Sequence, residues 1–206
     1  MRIGIDFDNT IAGYDAVFHE AAREHGFICD PAMNTKPAVR AAVRALEGGE
    51  EKWMALQGEV YGKRMRRAML LPGVDLFLRG CKAAGIQVHI VSHKTEYGHF
   101  DPDRVNLRTA ARSWMADQGF FEADGFGLRI EDVIFENTRP QKVARIAALG
   151  CSHFIDDLEE VFLEPGFPSD VQGILFDPAR SSHAATKTTV CHSWHEIREL
   201  LLAPYG

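Results

Sequence analysis

Five short apolar runs, each the length of a β-strand, divide this chain into alternating segments. They cover residues 2–7, 86–91, 132–135, 153–155 and 171–176. Runs as apolar as these, rather than strictly alternating, are typical of strands covered on both faces. Helical patterns supply that cover at residues 74–84, 105–118, 139–149 and 193–202, and the first three end before a glycine suited to a left-handed C-cap. This order predicts an α/β fold with a Rossmann-like, doubly wound parallel sheet of about five strands.

The interval between the first two runs is too long for a simple crossover, which needs only about 10–12 residues. Residues 14–71 are rich in Ala, Glu, Arg and Met and contain no strand-like run. We expect several helices there, broken near residues 29–37 and at Gly48-Gly49. The sequence therefore predicts two domains: an α/β core from residues 1–13 and 72–206, and an all-helical cap inserted at residues 14–71.

The composition of the chain limits which partners and which cellular compartment we expect for the protein. With 206 residues, of which 46% are hydrophobic and 25% charged, the chain resembles a globular protein with one substantial core. The net charge of −6 gives no electrostatic reason to expect a nucleic-acid polymer as partner. The four cysteines form no Cys-x-x-Cys pair, and no apolar segment suits a leader peptide or a membrane span. We therefore expect a reduced cytoplasmic setting and no membrane association.

Two aspartates lie two positions apart where the first apolar run ends. The segment from Ile3 to Thr10 reads IGIDFDNT, so Asp6 and Asp8 can share one side of the chain while Phe7 points to the other. Two carboxylates this close repel each other, and a divalent cation between them relieves the repulsion. With the cation bound, one carboxylate can attack phosphorus while the other moves protons. An acidic turn that leads into a helix cap is the alternative interpretation.

Polar side chains also stand near the ends of later runs. Ser92 follows the second run, Lys142 opens a helix before the fourth, and Asp156-Asp157 ends the fourth. Taken alone, Ser92 is a common type of turn residue and Lys142 an ordinary surface lysine. In a doubly wound sheet, however, the carboxyl ends of the strands meet in one crevice, so we expect these groups to converge with Asp6.

These features resemble, in the same order, the four signature motifs of the haloacid dehalogenase (HAD) superfamily. Residues 6–10, DFDNT, look like motif I, Ser92 like motif II, Lys142 like motif III and Asp156-Asp157 like motif IV. The helical insert between motifs I and II is similar to the cap of C1-type members. The resemblance spans nearly the whole chain. Asp8 favours the phosphatase and phosphotransferase members, because dehalogenases lack an acid/base aspartate at this position.

The resemblance implies roles for the four aspartates. Asp6 is the nucleophile that forms an aspartyl-phosphate, and Asp8 acts first as general acid and then as general base. Mg²⁺ is held by the Asp6 carboxylate, the Asp8 backbone carbonyl and Asp156. Asp157 is then a nearby or alternative ligand.

The same resemblance assigns the groups that meet the phosphoryl group. Ser92 and Lys142 offset its negative charge, and we assign Asn9 and Thr10 to phosphate binding as well. A helical cap that follows such a loop is suited to act as a lid that excludes water.

Substrate-contacting residues are harder to assign. A cluster of cations near the end of the insert includes Arg64, which can clamp an anionic substrate or simply lie on a solvated helix face. Residues 93–106 form a longer and more polar segment than a plain strand-to-helix turn. Lys94 and His99 are therefore candidates to line a pocket, although a long surface loop has the same pattern.

The sequence thus favours a Mg²⁺-dependent phosphatase that acts on a small phosphorylated metabolite, such as a sugar phosphate, as a monomer or homodimer. A 5'-nucleotidase or deoxynucleotidase of the same superfamily is one alternative. A regulatory module that binds phosphorylated ligands without turnover is an alternative of another class.

Overall fold

The computed structural model of the protein describes residues 1–181 and 188–203, so residues 182–187 and 204–206 of the predicted core lie outside it. The strands are β1 (Arg2–Ile5), β2 (Ala12–Gly13), β3 (Met69–Leu70), β4 (Gln87–His93), β5 (Val133–Glu136), β6 (His153–Asp156), β7 (Gln172–Phe176) and β8 (Thr189–Cys191). The helices are α1 (Asp15–Glu24), α2 (Lys36–Arg44), α3 (Gly49–Tyr61), α4 (Val74–Ala83), α5 (Leu107–Asp117), α6 (Arg139–Leu149), α7 (Glu159–Phe162) and α8 (Trp194–Leu202). Short 3-10 turns cover Met65–Arg67 and Ile130–Asp132.

Six strands form one parallel sheet in the order β5-β4-β1-β6-β7-β8, and β2 and β3 form a separate two-stranded sheet. The register places Ile5 of β1 beside Ile90 on one side and Ile155 on the other. The parallel α/β fold and the five predicted strands are confirmed. The edge strand β8 is an addition to that prediction, because three residues are too short a run to stand out in the sequence.

Helix boundaries follow local signals in the sequence. Helix α6 begins after Thr138, whose hydroxyl accepts a hydrogen bond from the Gln141 N–H, and it ends at Gly150, which has a φ of 61°. Helix α8 begins after Ser193, whose hydroxyl accepts from the Glu196 N–H at 3.1 Å. These predicted helices are confirmed. Among the described residues, every helix is too short or too polar to cross a lipid bilayer.

The core lies on both faces of the central strands. Ile3 and Ile5 of β1 and Phe154 of β6 are fully buried. One cluster joins β4 and β6 to helix α6, with Val91 and Phe154 packed in the same group as Val143 and Ile146. Burial on both faces explains why these strands are apolar at successive positions.

The chain divides into two compact units. One contains Met1–Ala12, Leu70–Lys94 and the described residues from Ala116 onward, and the other contains Gly13–Met69 and Thr95–Met115. Residues 95–115 thus group with the helical insert, whereas their sequence pattern indicated the α/β core.

Contacts inside the second unit explain this grouping. The Trp114 indole N–H donates to the Ala68 carbonyl at 3.0 Å. Gly98 lies so close to Gly58 of α3 that a Cβ atom on Gly98 would be 2.5 Å from the Gly58 Cα. The insert also has an aromatic core of its own, in which Phe18 stacks on Trp53 with ring centroids 5.0 Å apart.

Candidate active site

Three neighbouring strands of the parallel sheet deliver the candidate residues. Asp6 follows β1, Lys94 follows β4, and Asp156 ends β6. These strands are adjacent in the order β4-β1-β6, and all run in the same direction. Their carboxyl ends therefore meet at one edge, as expected for the binding crevice of an open α/β sheet.

A tight turn of residues 7–12 presents the first acidic pair. The N–H of Asp6 donates to the Ile155 carbonyl at 2.8 Å, which ties the end of β1 to β6. The N–H groups of Ile11 and Ala12 both donate to the Phe7 carbonyl at 3.0 Å. Asn9 has a φ of 61°, a left-handed conformation that asparagine tolerates better than most residues. A hydrogen-bonded turn thus follows directly after Asp8.

Lys142 joins two of the aspartates. Its Nζ lies 2.6 Å from Asp6 Oδ1 and 2.6 Å from Asp156 Oδ2, and only 2% of its side chain is exposed. Burial alone would lower the pKa of this ammonium group, but the Asp156 and Asp6 carboxylates outweigh burial and hold the pKa above its ordinary value. Lys142 is therefore a charged, buried group at the centre of the site.

Carboxylate oxygens of Asp6, Asp156 and Asp157 lie within 4.8 Å of one another, so a single cation can contact all three. Burial raises the pKa of Asp156, an effect that Lys142 opposes and the neighbouring Asp6 carboxylate reinforces. The Leu158 N–H donates to Asp156 Oδ1 at 3.0 Å and orients this carboxylate. An all-oxygen, acidic donor set of this kind suits a hard divalent cation.

Thr10 contacts Asp157. Its hydroxyl lies 3.3 Å from Asp157 Oδ1, and the Asp157 N–H donates to the same hydroxyl at 3.2 Å. The Trp194 indole N–H donates to the Thr10 carbonyl at 2.9 Å. Thr10 thus positions a candidate metal ligand, and its proposed role in phosphate binding stays a prediction.

Lys94 contacts Asp8, and the sequence did not indicate this pair. The Lys94 Nζ lies 3.0 Å from Asp8 Oδ1 and 2.8 Å from Asp8 Oδ2. The sequence identified Lys94 only as a candidate substrate contact in a polar segment. Its position one residue beyond β4, the strand that pairs with β1, was the signal that could have linked it to the loop after β1.

Ser92 lies inside β4 instead of following it. The ladder between β4 and β5 continues through Ser92 opposite Phe135 and His93 opposite Glu136, so the strand extends two residues beyond the predicted end. Ser92 is buried at this carboxyl end. Because Ile90 of the same strand pairs with Ile5, the last residue of β1, Ser92 lies at the same edge of the sheet as Asp6, which is compatible with the proposed phosphoryl contact.

Arg64 and His99, the other two candidate substrate contacts, belong to the second unit. The Arg64 guanidinium pairs with Glu24 at 2.5 Å and with Glu59 at 2.6 Å, and His99 is exposed. Arg64 thus has a structural role in the insert. A contact of either residue with substrate stays a prediction.

The balance of charge in the first unit also favours a bound cation. Four aspartates, at positions 6, 8, 156 and 157, face two lysines, at positions 94 and 142. Their formal charges leave the group two units negative, which one divalent cation would neutralise. The residues present therefore fit a divalent metal ion.

Neither a family model nor a curated protein matches the sequence significantly. Solved structures match over nearly the whole chain. A HAD family hydrolase from Deinococcus radiodurans with bound phosphate and sodium has a TM-score of 0.61 at 15% identity, and the match covers 97% of this chain and 94% of that one. Protein Tyrosine Kinase A of Mycobacterium tuberculosis has a TM-score of 0.62 at 15% identity, covering 97% and 96%. A phosphoserine phosphohydrolase-like protein from Francisella tularensis has a TM-score of 0.56 at 12% identity, covering 97% and 99%. The chain therefore has the fold of the haloacid dehalogenase superfamily.

Proposed function

We propose that this protein is a Mg²⁺-dependent phosphatase that hydrolyses phosphoric monoesters of small metabolites through an aspartyl-phosphate at Asp6. One observation carries the proposal: the two aspartates of the first loop are held by different lysines. Lys142 links Asp6 to the acidic cluster, and Lys94 holds Asp8. Different surroundings for two nearby carboxylates are what a nucleophile and a proton-transfer group require. The fold shared with hydrolases, one of them solved with bound phosphate, supports the proposal.

The reaction has two half-reactions. In the first, a carboxylate oxygen of Asp6 bonds to phosphorus as the ester P–O bond breaks, and the Asp8 carboxyl gives its proton to the departing oxygen. In the second, water attacks the phosphorus while the Asp8 carboxylate takes a proton from it. The P–O bond to Asp6 then breaks, which releases inorganic phosphate and restores both aspartates.

Lys142 and Ser92 serve the charged groups of this reaction. The Lys142 ammonium aligns the Asp6 carboxylate through its 2.6 Å contact. It also offsets negative charge close to the transferring phosphoryl group. Ser92, at the end of the neighbouring strand, offers its hydroxyl to a phosphoryl oxygen.

Asp6, Asp156 and Asp157 would hold the Mg²⁺, together with the Asp8 backbone carbonyl. Bound there, Mg²⁺ supplies the positive charge that allows an anionic nucleophile to approach an anionic phosphoryl group. The Thr10 hydroxyl keeps Asp157 in place for this task.

The decisive experiment measures phosphate release from 4-nitrophenyl phosphate with Mg²⁺ and with a chelator. We expect activity only with Mg²⁺, and we expect Asp6→Asn to abolish it. Asp124→Asn is the matched control, because Asp124 is an exposed aspartate outside the site. Activity that survived Asp6→Asn or chelation would exclude the proposed mechanism. An inactive wild-type protein that still binds phosphorylated ligands would instead indicate a binding module.

A panel of natural phosphate esters then defines the substrate class. We expect small phosphorylated metabolites, including sugar phosphates, to be hydrolysed best. A strong preference for nucleoside monophosphates would identify a 5'-nucleotidase instead.

A further inference from the structure

Lys94 is enclosed by protein although it carries a charge. Only 2% of its side chain is exposed. Its Nζ lies 5.7 Å from the centroid of the Phe7 ring, a cation–π contact. The Lys94 backbone N–H donates to the Glu136 carbonyl at 3.0 Å, which continues the pairing of β4 with β5. Both the backbone and the ammonium group of this residue are therefore fixed.

Such a lysine differs from an ordinary surface lysine, which keeps its ammonium group in water. An ammonium group removed from water needs a close counter-ion, and Asp8 provides one through both carboxylate oxygens. The side chain of Asp8 remains 18% exposed. The carboxylate is thus held by Lys94 and still accessible to a small molecule.

We infer that Lys94 is a positioning residue for Asp8, an inference that rests on the proposed function. Contact with both oxygens fixes the rotation of a carboxylate that sits on a turn, and proton transfer requires a fixed geometry. Lys142 cannot take this role, because its Nζ contacts Asp6 and Asp156.

If Lys94 acts through Asp8, its loss should slow hydrolysis most when the leaving group needs protonation. The test compares kcat/KM for phenyl phosphate and 4-nitrophenyl phosphate, since the nitro group makes the second leaving group far better. For Lys94→Met we expect the loss with phenyl phosphate to exceed the loss with 4-nitrophenyl phosphate by about tenfold or more. Lys94→Arg, which keeps a cation, should recover a large part of that loss.

His93→Gln is the matched control. His93 is the exposed neighbour of Lys94, and its Nε2 contacts the Asn137 carbonyl at 2.8 Å. This variant should leave the ratio of the two kcat/KM values unchanged. Circular dichroism and thermal unfolding show whether Lys94→Met folds. If it does not, the same comparison is made with Lys94→Gln, whose side chain has a similar length and ends in a neutral hydrogen-bond donor.

A double-mutant cycle with Asp8→Asn separates action through Asp8 from direct action on the substrate. If Lys94 acts through Asp8, Asp8→Asn combined with Lys94→Met is no slower than Asp8→Asn alone. If the two substitutions instead lower kcat/KM independently, so that their losses multiply in the double variant, the inference is overturned. An equal loss with both substrates would also overturn it, because it would place Lys94 on the phosphoryl group itself. A wild-type protein that hydrolyses neither ester with Mg²⁺ would refute the proposed function and the inference with it.

Discussion

Thr10 and Asp157 form a reciprocal contact: the Thr10 hydroxyl lies 3.3 Å from Asp157 Oδ1, and the Asp157 N–H donates to that hydroxyl at 3.2 Å. The pair connects the loop after β1 to the loop after β6. Because Trp194 also donates to the Thr10 carbonyl, helix α8 is tied to the same point. Thr10 thus connects the loop after β1, the loop after β6 and helix α8.

Thr10→Val should weaken metal binding, because it keeps the shape of the side chain and removes the hydroxyl that orients Asp157. We expect Mg²⁺ affinity, measured by isothermal titration calorimetry, to fall by about 10–100-fold. Thr10→Ser retains the hydroxyl and should bind Mg²⁺ nearly as the wild type does. Equal affinities for all three proteins would show that the Thr10–Asp157 contact does not support the metal site.

Lys142→Met should abolish most of the activity and destabilise the protein. Removing one partner of a buried ion pair costs about 3–5 kcal/mol, since the remaining charges lose their compensation. Here Asp6 and Asp156 would both lose their ammonium partner. We expect kcat to fall by about 100-fold or more and the free energy of unfolding, measured in urea with a chelator present, to fall as well.

Added Mg²⁺ should recover more stability in Lys142→Met than in the wild type, because the unpaired carboxylates gain a counter-ion. Lys52→Met is the control, since Lys52 belongs to the second unit. A Lys142→Met protein as stable and active as the Lys52→Met control would contradict this account of the ion pair.

His89 should make stability depend on pH below neutrality. Burial lowers the pKa of His89 from its ordinary 6.5, with Arg2 and Arg129 acting in the same direction and Asp132 opposing them. Below about pH 6.5 the unfolded chain therefore binds a proton that the folded chain does not yet bind. We expect the free energy of unfolding to fall as the pH falls from 6.5 toward the lowered pKa. Above pH 6.5, where His89 is neutral in both states, this group should not change the free energy of unfolding.

Urea unfolding between pH 5.5 and 7.5 tests this dependence. His89→Gln should reduce the slope of stability against pH. His195→Gln should retain it, because His195 is largely exposed. Equal slopes for both variants would mean that another group causes the effect.

One of the four cysteine thiols should react much faster than the other three in the native protein. Burial raises the pKa of Cys81 to about 12 and the pKa values of Cys151 and Cys191 to about 11, whereas Cys29 is exposed. Because the thiolate is the reactive form, native protein should react with a chromogenic disulfide at Cys29 alone. Cys29→Ser should leave no rapidly reacting thiol, while urea should expose the others. Rapid labelling of native Cys29→Ser would contradict this expectation.

The fold was largely predictable because its signals are local. For α6, the Thr138 cap, an early proline and Gly150 lie within one short stretch, and the predicted bounds are the observed ones. Strand β8 lacked such a signal, since it is short and its place depends on pairing with β7. The extension of β4 through Ser92 likewise depends on β5, which lies some forty positions away in the chain.

The acidic residues of the site could be predicted from the sequence, but the lysine that pairs with each of them was harder to predict. Asp6 and Asp157 follow apolar strands and Asp156 ends one, and the topology of a parallel sheet brings their side chains together. The contact of Lys94 with Asp8 joins residues that are 86 positions apart. Such a pair depends on side-chain direction at two strand ends, which a single sequence does not specify.

The close contact of Gly58 with Gly98 has a consequence for protein engineering. The helical insert is not a self-contained cassette, because one surface of α3 is completed by a segment that enters the chain after β4. Exchange of residues 13–69 for the insert of another protein would deprive residues 95–115 of that surface. A successful graft has to carry residues 13–69 and residues 95–115 together, and its second piece would begin at Thr95.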